Sequence, residues 1–415
     1  MADTDILIVG GGMAGRLCAL ALGQGALSQG ALGQAGFETR VVERAETASD
    51  PRTTALAYAS VRALRRLGVW AHLEAKAEPV RDIVVAPVAP ADRFRDGATG
   101  PVLHFGDELL SDTERWDGTP LAWMVRNDDL TAAIRAASAD IGVHVGEART
   151  MRANGTARVT LAGGETLSAT LVVACDGARS RLRRASGVRA SVRDAKQDAL
   201  TLTVRHERPH EGVARQVFPV GGPLAALPLT GGRSSLVWSM PRGVADAYEA
   251  AGPDAFCEAA VGALGDALGA LTPDGALARF PLRTLRAERL FANRLALVGD
   301  AGHVIHPLAG QGFNLTIADI AALTEVLEDA RATGLDIGHG TVLAEYDRWR
   351  RPAALAMTLG TSGLNRVLST SERVTRAAAS LGLGAVQRRD GLRAALARAA
   401  GGEGIAGRTP RLLQR

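Results

Sequence analysis

An apolar run that ends in closely spaced glycines constrains this chain more than any other feature. Residues 5–27 are DILIVGGGMAGRLCALALGQGAL. The segment predicts a short buried strand, a tight turn and an apolar helix. The spacing Gly10-x-Gly12-x-x-Gly15 suits a bound dinucleotide. Gly10 permits the turn, Gly12 lets the backbone approach a pyrophosphate, and Gly15 lets helix and strand pack closely. Met13 and Ala14 fall in the first turn of that helix, beside the phosphates. In a glycine-rich chain such a pattern also arises by chance. Its position between strand and helix favours the dinucleotide reading.

A second strand should end in an acid that holds the adenosine ribose. FETRVVER supplies Glu43, followed by Arg44. The interval exceeds the roughly 20 residues usual after such a turn. The excess falls in QGALSQGALGQAG, where QGAL appears twice; it is expected to extend the helix end or its loop, with no chemistry of its own. No second fingerprint follows a later strand. GxSxG and P-loop motifs are also absent from the sequence.

Two later stretches repeat the logic of an apolar strand followed by a polar turn. ATLVVACDGARSRLRRASGV carries Asp176 and Gly177. RLALV is followed by GDAGHVIHPLAGQGFNL, which spends four glycines, a proline and Asp300 before the next helix. Glycines there allow the backbone close to a ligand, and the amides of a helix start meet its polar groups.

GGGMAG with VVER, CDGARS, and GDAGHVIHPLAGQGFNL, in this order, resemble the single-component flavoprotein aromatic hydroxylases. DPRTTALAYASVRALRRLGVW, GPLAALPL with SSLVWSM, and YDRWRRP with GLNRVL look like the ubiquinone-biosynthesis hydroxylases within that group. The resemblance implies an α/β (α+β) chain: a glutathione-reductase-like FAD-binding Rossmann domain, an inserted antiparallel-sheet substrate domain and C-terminal helices. It implies FAD as cofactor, NAD(P)H as reductant and O2 as co-substrate. The reaction implied is hydroxylation of the aromatic ring of a polyprenylated phenol through a flavin C4a-hydroperoxide.

By the same resemblance, Gly299 and Asp300 serve the ribityl chain, and Pro307, Gly310, Gln311, Gly312, Phe313 and Asn314 lie beside the flavin ring. The helix from about Gly312 points its positive end at that ring. Arg52 occupies the place of an arginine near FAD and substrate, against the alternative of a surface arginine. Asn127 is a flavin contact or an N-terminal cap, with Arg126 beside it as an alternative. Asp176 supports the FAD-facing loop, and Arg179 is a candidate for NAD(P)H phosphate. His306 and Pro307 are the candidates for facing substrate, although His306 serves equally well to satisfy loop backbone. His303 and His306 have no third ligand at suitable spacing, so no metal is expected.

The FAD-binding domain is expected to be discontinuous, over 1–80, 121–190 and 285–340. Between its parts, 81–120 and 191–284 hold strand-like pieces, among them LTLTVRHE, LAALPL and SSLVWSM. These predict an antiparallel sheet roofing the flavin. From 341 to 415 the chain predicts Arg-rich amphipathic helices and a mobile Gly/Arg/Pro-rich end, GGEGIAGRTPRLLQR.

Charge and cysteines narrow the surroundings. The formal net charge is +4, carried almost wholly by scattered arginines without an aromatic-rich basic stretch, which argues against nucleic acid. Cys18, Cys175 and Cys257 are odd in number and far apart, as expected of reduced thiols in the cytoplasm. Neither a signal sequence nor a membrane-spanning run is expected. So apolar a substrate implies contact with the inner face of the cell membrane and with other ubiquinone-synthesis proteins; the oligomeric state stays open. Two other readings keep the motifs: a hydroxylase of a small soluble aromatic, and a flavin-binding assembly subunit of a quinone-synthesis complex.

Overall fold

The computed structural model describes residues 2–24, 36–44, 49–86, 103–106, 119–305, 312–368, 385–402 and 408–414. Among these, three sheets organise the molecule. The first is built on five parallel strands in the order Leu295–Leu297, Thr166–Ala174, Thr4–Val9, Thr39–Glu43, Val143–Val145. Ile6, Leu7 and Ile8 are wholly buried, as an apolar run covered on both faces must be. The chain's first strand thus lies in the middle, with neighbours added on both sides. A doubly wound sheet opens its ligand crevice at such a reversal of strand order, beyond the carboxyl ends of the strands.

Helix Met13–Gly23 packs against this sheet through Leu17, Cys18, Leu20 and Leu22. It ends at Gly23, and residues 25–35, most of the expected insertion, lie outside the described residues. Long helix Gly312–Ala332 joins the same core, and helix Gly340–Leu368 contributes Tyr346.

The second sheet has nine strands, mostly antiparallel, centred on Ala190–His206, Arg233–Pro241 and Leu224–Leu229. Strand Asp82–Ala86 joins it in parallel with Val213–Val217. Residues of alternate parity face opposite ways. Leu200, Leu202, Leu224, Ala226, Leu236 and Met240 are buried with Phe256 and Cys257 of helix Pro253–Leu264. The other parity faces a cleft. Helices Arg242–Ala251 and Pro253–Leu264 are separated at Gly252, which has φ +89° and directly precedes Pro253.

A third, three-stranded sheet pairs Thr53–Ala57 and Glu78–Val80 with Ala122–Arg126. Its cluster of Ala55, Val80 and Met124 packs on Ala225 and Leu227 of the large sheet.

Residues 408–414 are docked rather than loose, contrary to the expectation from composition. Leu412 is wholly buried and Leu413 nearly so, both within the main core. Arg66 donates to the carbonyls of Arg411 and Leu412. Glu325, fully buried on helix Gly312–Ala332, accepts from the Arg411 amide at 2.7 Å and pairs with Arg408. Two leucines supply apolar area that glycine and arginine around them conceal in the sequence, and a buried acid supplies the anchor. No helix among the described residues is long and apolar enough to cross a membrane.

Candidate cofactor and substrate site

Val42, Val9, Ala174 and Leu297 stand in one row across four adjacent parallel strands. Each is followed within three residues by a motif from the sequence: Glu43, Gly10, Asp176 and Asp300. Register alone therefore gathers four segments up to 290 residues apart, from Gly10 to Asp300, at one edge of the sheet.

The glycines there differ in what surrounds them. A Cβ on Gly10, whose φ is +110°, would lie 2.3 Å from the Cys175 carbonyl oxygen. One on Gly15 would lie 1.7 Å from the Gly10 oxygen. A Cβ on Gly12 would meet nothing within 4 Å. Two positions are thus closed by protein, and Gly12 faces open space at the head of helix Met13–Gly23. That helix has no capping side chain and no acid in its first turn, so its free N–H groups and positive end are available to phosphate. Met13 and Ala14 of this turn are half-buried.

Glu43 comes from the end of the second strand and is held between two arginines the sequence reading passed over. Arg16 Nη2 lies 2.6 Å from one carboxylate oxygen and Arg135 Nη2 3.3 Å from the other. Arg16 follows the last fingerprint glycine directly and also donates to the Gly11 carbonyl. Arg44 is exposed.

Asp176 Oδ2 accepts from the amides of Arg181 and Leu182, at 2.8 and 3.3 Å, fixing the start of helix Arg181–Ala185. Its Oδ1 is buried with no hydrogen-bond partner among the described residues. Gly177, at φ +78°, lets the chain turn there. Arg179 is exposed. Buried Arg183, absent from the sequence reading, donates to the carbonyls of Ala301 and Ala178 and ties the Asp176 turn to the Asp300 turn.

Gly299 adopts φ +60°, and a Cβ there would lie 2.8 Å from the Thr316 hydroxyl. Asp300 follows in a short 3-10 turn, its side chain open to solvent but ringed by protein. That surrounding pushes its carboxyl pKa up, against the opposing charges of His303 and Arg52. His303 itself is buried and committed to Asp319, 2.5 Å away. The flavin-loop candidates His306, Pro307, Gly310 and Gln311 lie outside the described residues. Gly312 and Phe313 start the following helix, where a Cβ on Gly312 would meet nothing within 4 Å.

Asn314 and Asn127 are clamps. Asn314 accepts from the Ala57 amide at 3.0 Å and donates to the Ala55 carbonyl at 2.7 Å, gripping strand Thr53–Ala57. Asn127 does not cap its helix: it is the first helical residue, and Arg126 holds the cap position with no side-chain bond. Its amide instead donates to Asp50 and accepts from Thr54, at 2.8 and 2.7 Å. Those bonds hold the segment bearing Arg52. Arg52 pairs with Asp50 through two contacts of 2.8 and 2.7 Å and lies over the Phe280 ring, 5.0 Å from its centroid. The Asp50 partnership raises the guanidinium pKa.

Arg52 stands at the edge of a cleft of about 180 Å³ on the free face of the nine-stranded sheet. Ala199, Ala225, Leu227, Val237 and Phe280 give it an apolar lining. Val304 and Ile305 close one side, immediately before the flavin-loop candidates in the sequence.

This arrangement fits FAD. An uncapped helix start with room before it, an unpartnered buried carboxylate oxygen and an acid ringed by protein all lie along one sheet edge, beside an apolar cleft.

Comparison with known proteins places the chain. Residues 3–361 match the FAD binding domain family. The chain is 35% identical over 389 residues to the ubiquinone hydroxylase UbiL of Rhodospirillum rubrum, covering 92% of this chain and 86% of that one. It is 33% identical over 396 residues to the 3-demethoxyubiquinol 3-hydroxylase of Escherichia coli, covering 93% and 95%. The p-nitrophenol 4-monooxygenase PnpA of Pseudomonas putida shares the fold, with TM-score 0.77 at 19% identity over 98% of this chain and 100% of that one. The chain belongs to the FAD binding domain family and, within it, to the FAD-dependent hydroxylases of ubiquinone biosynthesis.

Proposed function

We propose that this protein hydroxylates the aromatic ring of a polyprenylated phenol during ubiquinone synthesis. The observation that carries the reading is the row of strand ends bearing Gly10, Glu43, Asp176 and Asp300, with an apolar cleft beside it. Bound FAD supplies the redox chemistry, accepting hydride from NAD(P)H and activating O2.

The chain's own residues bind, orient and exclude water. Amides at Gly12, Met13 and Ala14 hold the pyrophosphate, with Gly15 bringing their helix close. Glu43, steadied by Arg16 and Arg135, accepts from the adenosine ribose hydroxyls, and Arg44 flanks it. Asp176 and Gly177 shape the loop between the two halves of the cofactor. Gly299 and Asp300 receive the ribityl chain. The start of helix Gly312–Ala332, with Phe313 and Asn314, directs its positive end at the ring system. Pro307, Gly310 and Gln311 are assigned to the same flavin loop by the resemblance alone, and His306 is a candidate for contact with substrate. The apolar cleft seats the substrate ring and keeps water from the reacting oxygen. Arg52 and Asn127 fix the strand that borders both.

Residues 1–80, 121–190 and 285–340 then form the FAD-binding domain, 81–120 and 191–284 the substrate domain, and 341–415 the C-terminal helical region. A substrate this apolar is drawn from a membrane surface, so the protein works in the cytoplasm at the inner face of the membrane, beside other enzymes of the pathway.

The test is mass spectrometry of quinones and their precursors in cells lacking this protein. The expected result is loss of quinone with accumulation of a prenylphenol short of one ring hydroxyl. An unchanged quinone profile without an accumulated precursor would overturn the proposal.

A further inference from the structure

The floor of the cleft is one face of the nine-stranded sheet, and the pairing register shows how its side chains are arranged. Thr201, Val237, Ala225 and Gln216 form one row across four strands. Phe280, Ala199 and Ser239 form the next. Thr201 and Ser239 are therefore diagonal neighbours on adjoining strands, roughly 7 Å apart by ordinary sheet geometry.

These two residues break a simple pattern. Apart from Gln216 on the outer strand, the rest of the floor is small or apolar, which leaves space above it for a flat ring. Thr201 is 5% exposed and Ser239 3% exposed. Neither hydroxyl has a hydrogen-bond partner among the described residues, and both line the cleft. Nearby Ser235 shows the ordinary outcome for a hydroxyl on this face: it accepts from Thr53 at 3.1 Å. Neither oxygen is sealed inside protein, so both are open to whatever occupies the cleft, and a wall that needed only to pack would not require hydroxyls at 201 and 239. The arrangement suits a ligand that brings the missing partners.

We propose that Thr201 and Ser239 determine specificity in this cleft by hydrogen-bonding oxygen substituents on the substrate ring. The inference rests on the reading of the cleft as an aromatic-hydroxylase site and deepens it. The two hydroxyls select a ring that already carries oxygen over a plain prenylated arene, and Phe280 and Ala199 beside them contact the ring face. A site built to hydrogen-bond an oxygen discriminates strongly against an analogue lacking it.

The experiment uses the FAD-loaded full chain, with 2-geranylphenol and geranylbenzene as probes. Their dissociation constants are read from the change in flavin absorbance, for wild type, Thr201→Val, Ser239→Ala and the double variant. Wild type is expected to bind the phenol at least about tenfold more tightly than the arene, one unsupported hydrogen bond being worth a factor of that order. Each single variant should reduce that ratio severalfold and the double variant should bring it near one. Because neither hydroxyl is bonded within the protein, ligand-free melting temperatures should be unchanged or raised. Melting temperatures lowered in both variants would assign the hydroxyls to packing and overturn the inference. So would a wild-type preference for the phenol that survives the double variant. If wild type neither binds nor turns over 2-geranylphenol, the phenol-hydroxylase reading itself fails, and the inference falls with it.

Discussion

His303 Nε2 lies 2.5 Å from Asp319 Oδ2, inside the protein, and the same carboxylate accepts from Arg350 Nε at 2.8 Å. Asp319 also accepts from the Gly299 amide at 3.3 Å. One acid on helix Gly312–Ala332 thus joins the turn bearing Asp300 to helix Gly340–Leu368. Burial acts to raise its pKa, but the charges of His303 and Arg350 outweigh it and hold the carboxyl below its ordinary value of 3.8.

Asp319→Asn should therefore be strongly destabilising. It leaves Arg350 buried without a counter-charge, for which removal of one partner costs about 3–5 kcal/mol. Urea unfolding of purified protein measures this, and a loss under 1 kcal/mol would refute it. The pH dependence has a definite sign. A depressed carboxylate pKa contributes stability fully present above the unfolded-state value and lost as pH falls below about 4. The variant should show a shallower loss of stability than wild type across that acid range.

Gly12 and Gly15 should separate cofactor binding from folding. Gly15→Ala puts a methyl 1.7 Å from the Gly10 oxygen, so the helix must move and the ligand-free protein should lose stability. Gly12→Ala has φ −70° and nothing within 4 Å, so the ligand-free protein should melt as wild type does. In the proposed binding mode its methyl stands where the pyrophosphate approaches, and FAD affinity should fall on the order of tenfold or more. Equilibrium titration of the apoprotein with FAD tests both; equal affinity for Gly12→Ala and wild type would displace the phosphate from this turn.

The sequence made local relationships legible and left remote ones hidden. Strand, glycine turn and helix follow one another in the chain, so the roles of Gly10, Gly12 and Gly15 follow from spacing and sterics. Alternation in LTLTVRH and SSLVWSM likewise revealed strands with two different faces. Asp319 carries no such mark: it sits amid apolar residues, and its partner Arg350 lies a helix away. Asn127 and Asn314 were legible as polar residues at helix starts, but each bonds to a separate strand or loop segment. A pattern of caps and periods contains nothing about those partners. Leu412 and Leu413 failed for the opposite reason, since the composition around them suggests a loose end while two side chains decide the matter.

Asp50 and Asn127 should control the position of Arg52 at the cleft. Asn127→Ala removes the 2.8 Å bond to Asp50 and leaves Thr54 without its acceptor. Breaking two bonds of a buried group costs about 1–3 kcal/mol. The backbone bond from the Asn127 amide to the Arg52 carbonyl survives the substitution, so the fold should persist. NAD(P)H oxidation should rise relative to product formed, because Arg52 and its strand no longer hold the cleft wall in place. Measured coupling equal to wild type would confine Asn127 to stability alone.

Glu325 and the chain end offer a test in which one substitution changes sign. Leu412→Ala should cost about 2–5 kcal/mol, as for other fully buried leucines. Deleting residues 408–415 should cost more, since it removes both leucines and both arginines that face Glu325. In the full chain Glu325→Gln loses those ion pairs and should destabilise. In the shortened chain the glutamate is a buried charge without Arg408 or Arg411, so the same Glu325→Gln should stabilise. Urea midpoints for the four proteins form a double-mutant cycle. An effect of equal sign in both backgrounds would show that the docked end does not neutralise Glu325.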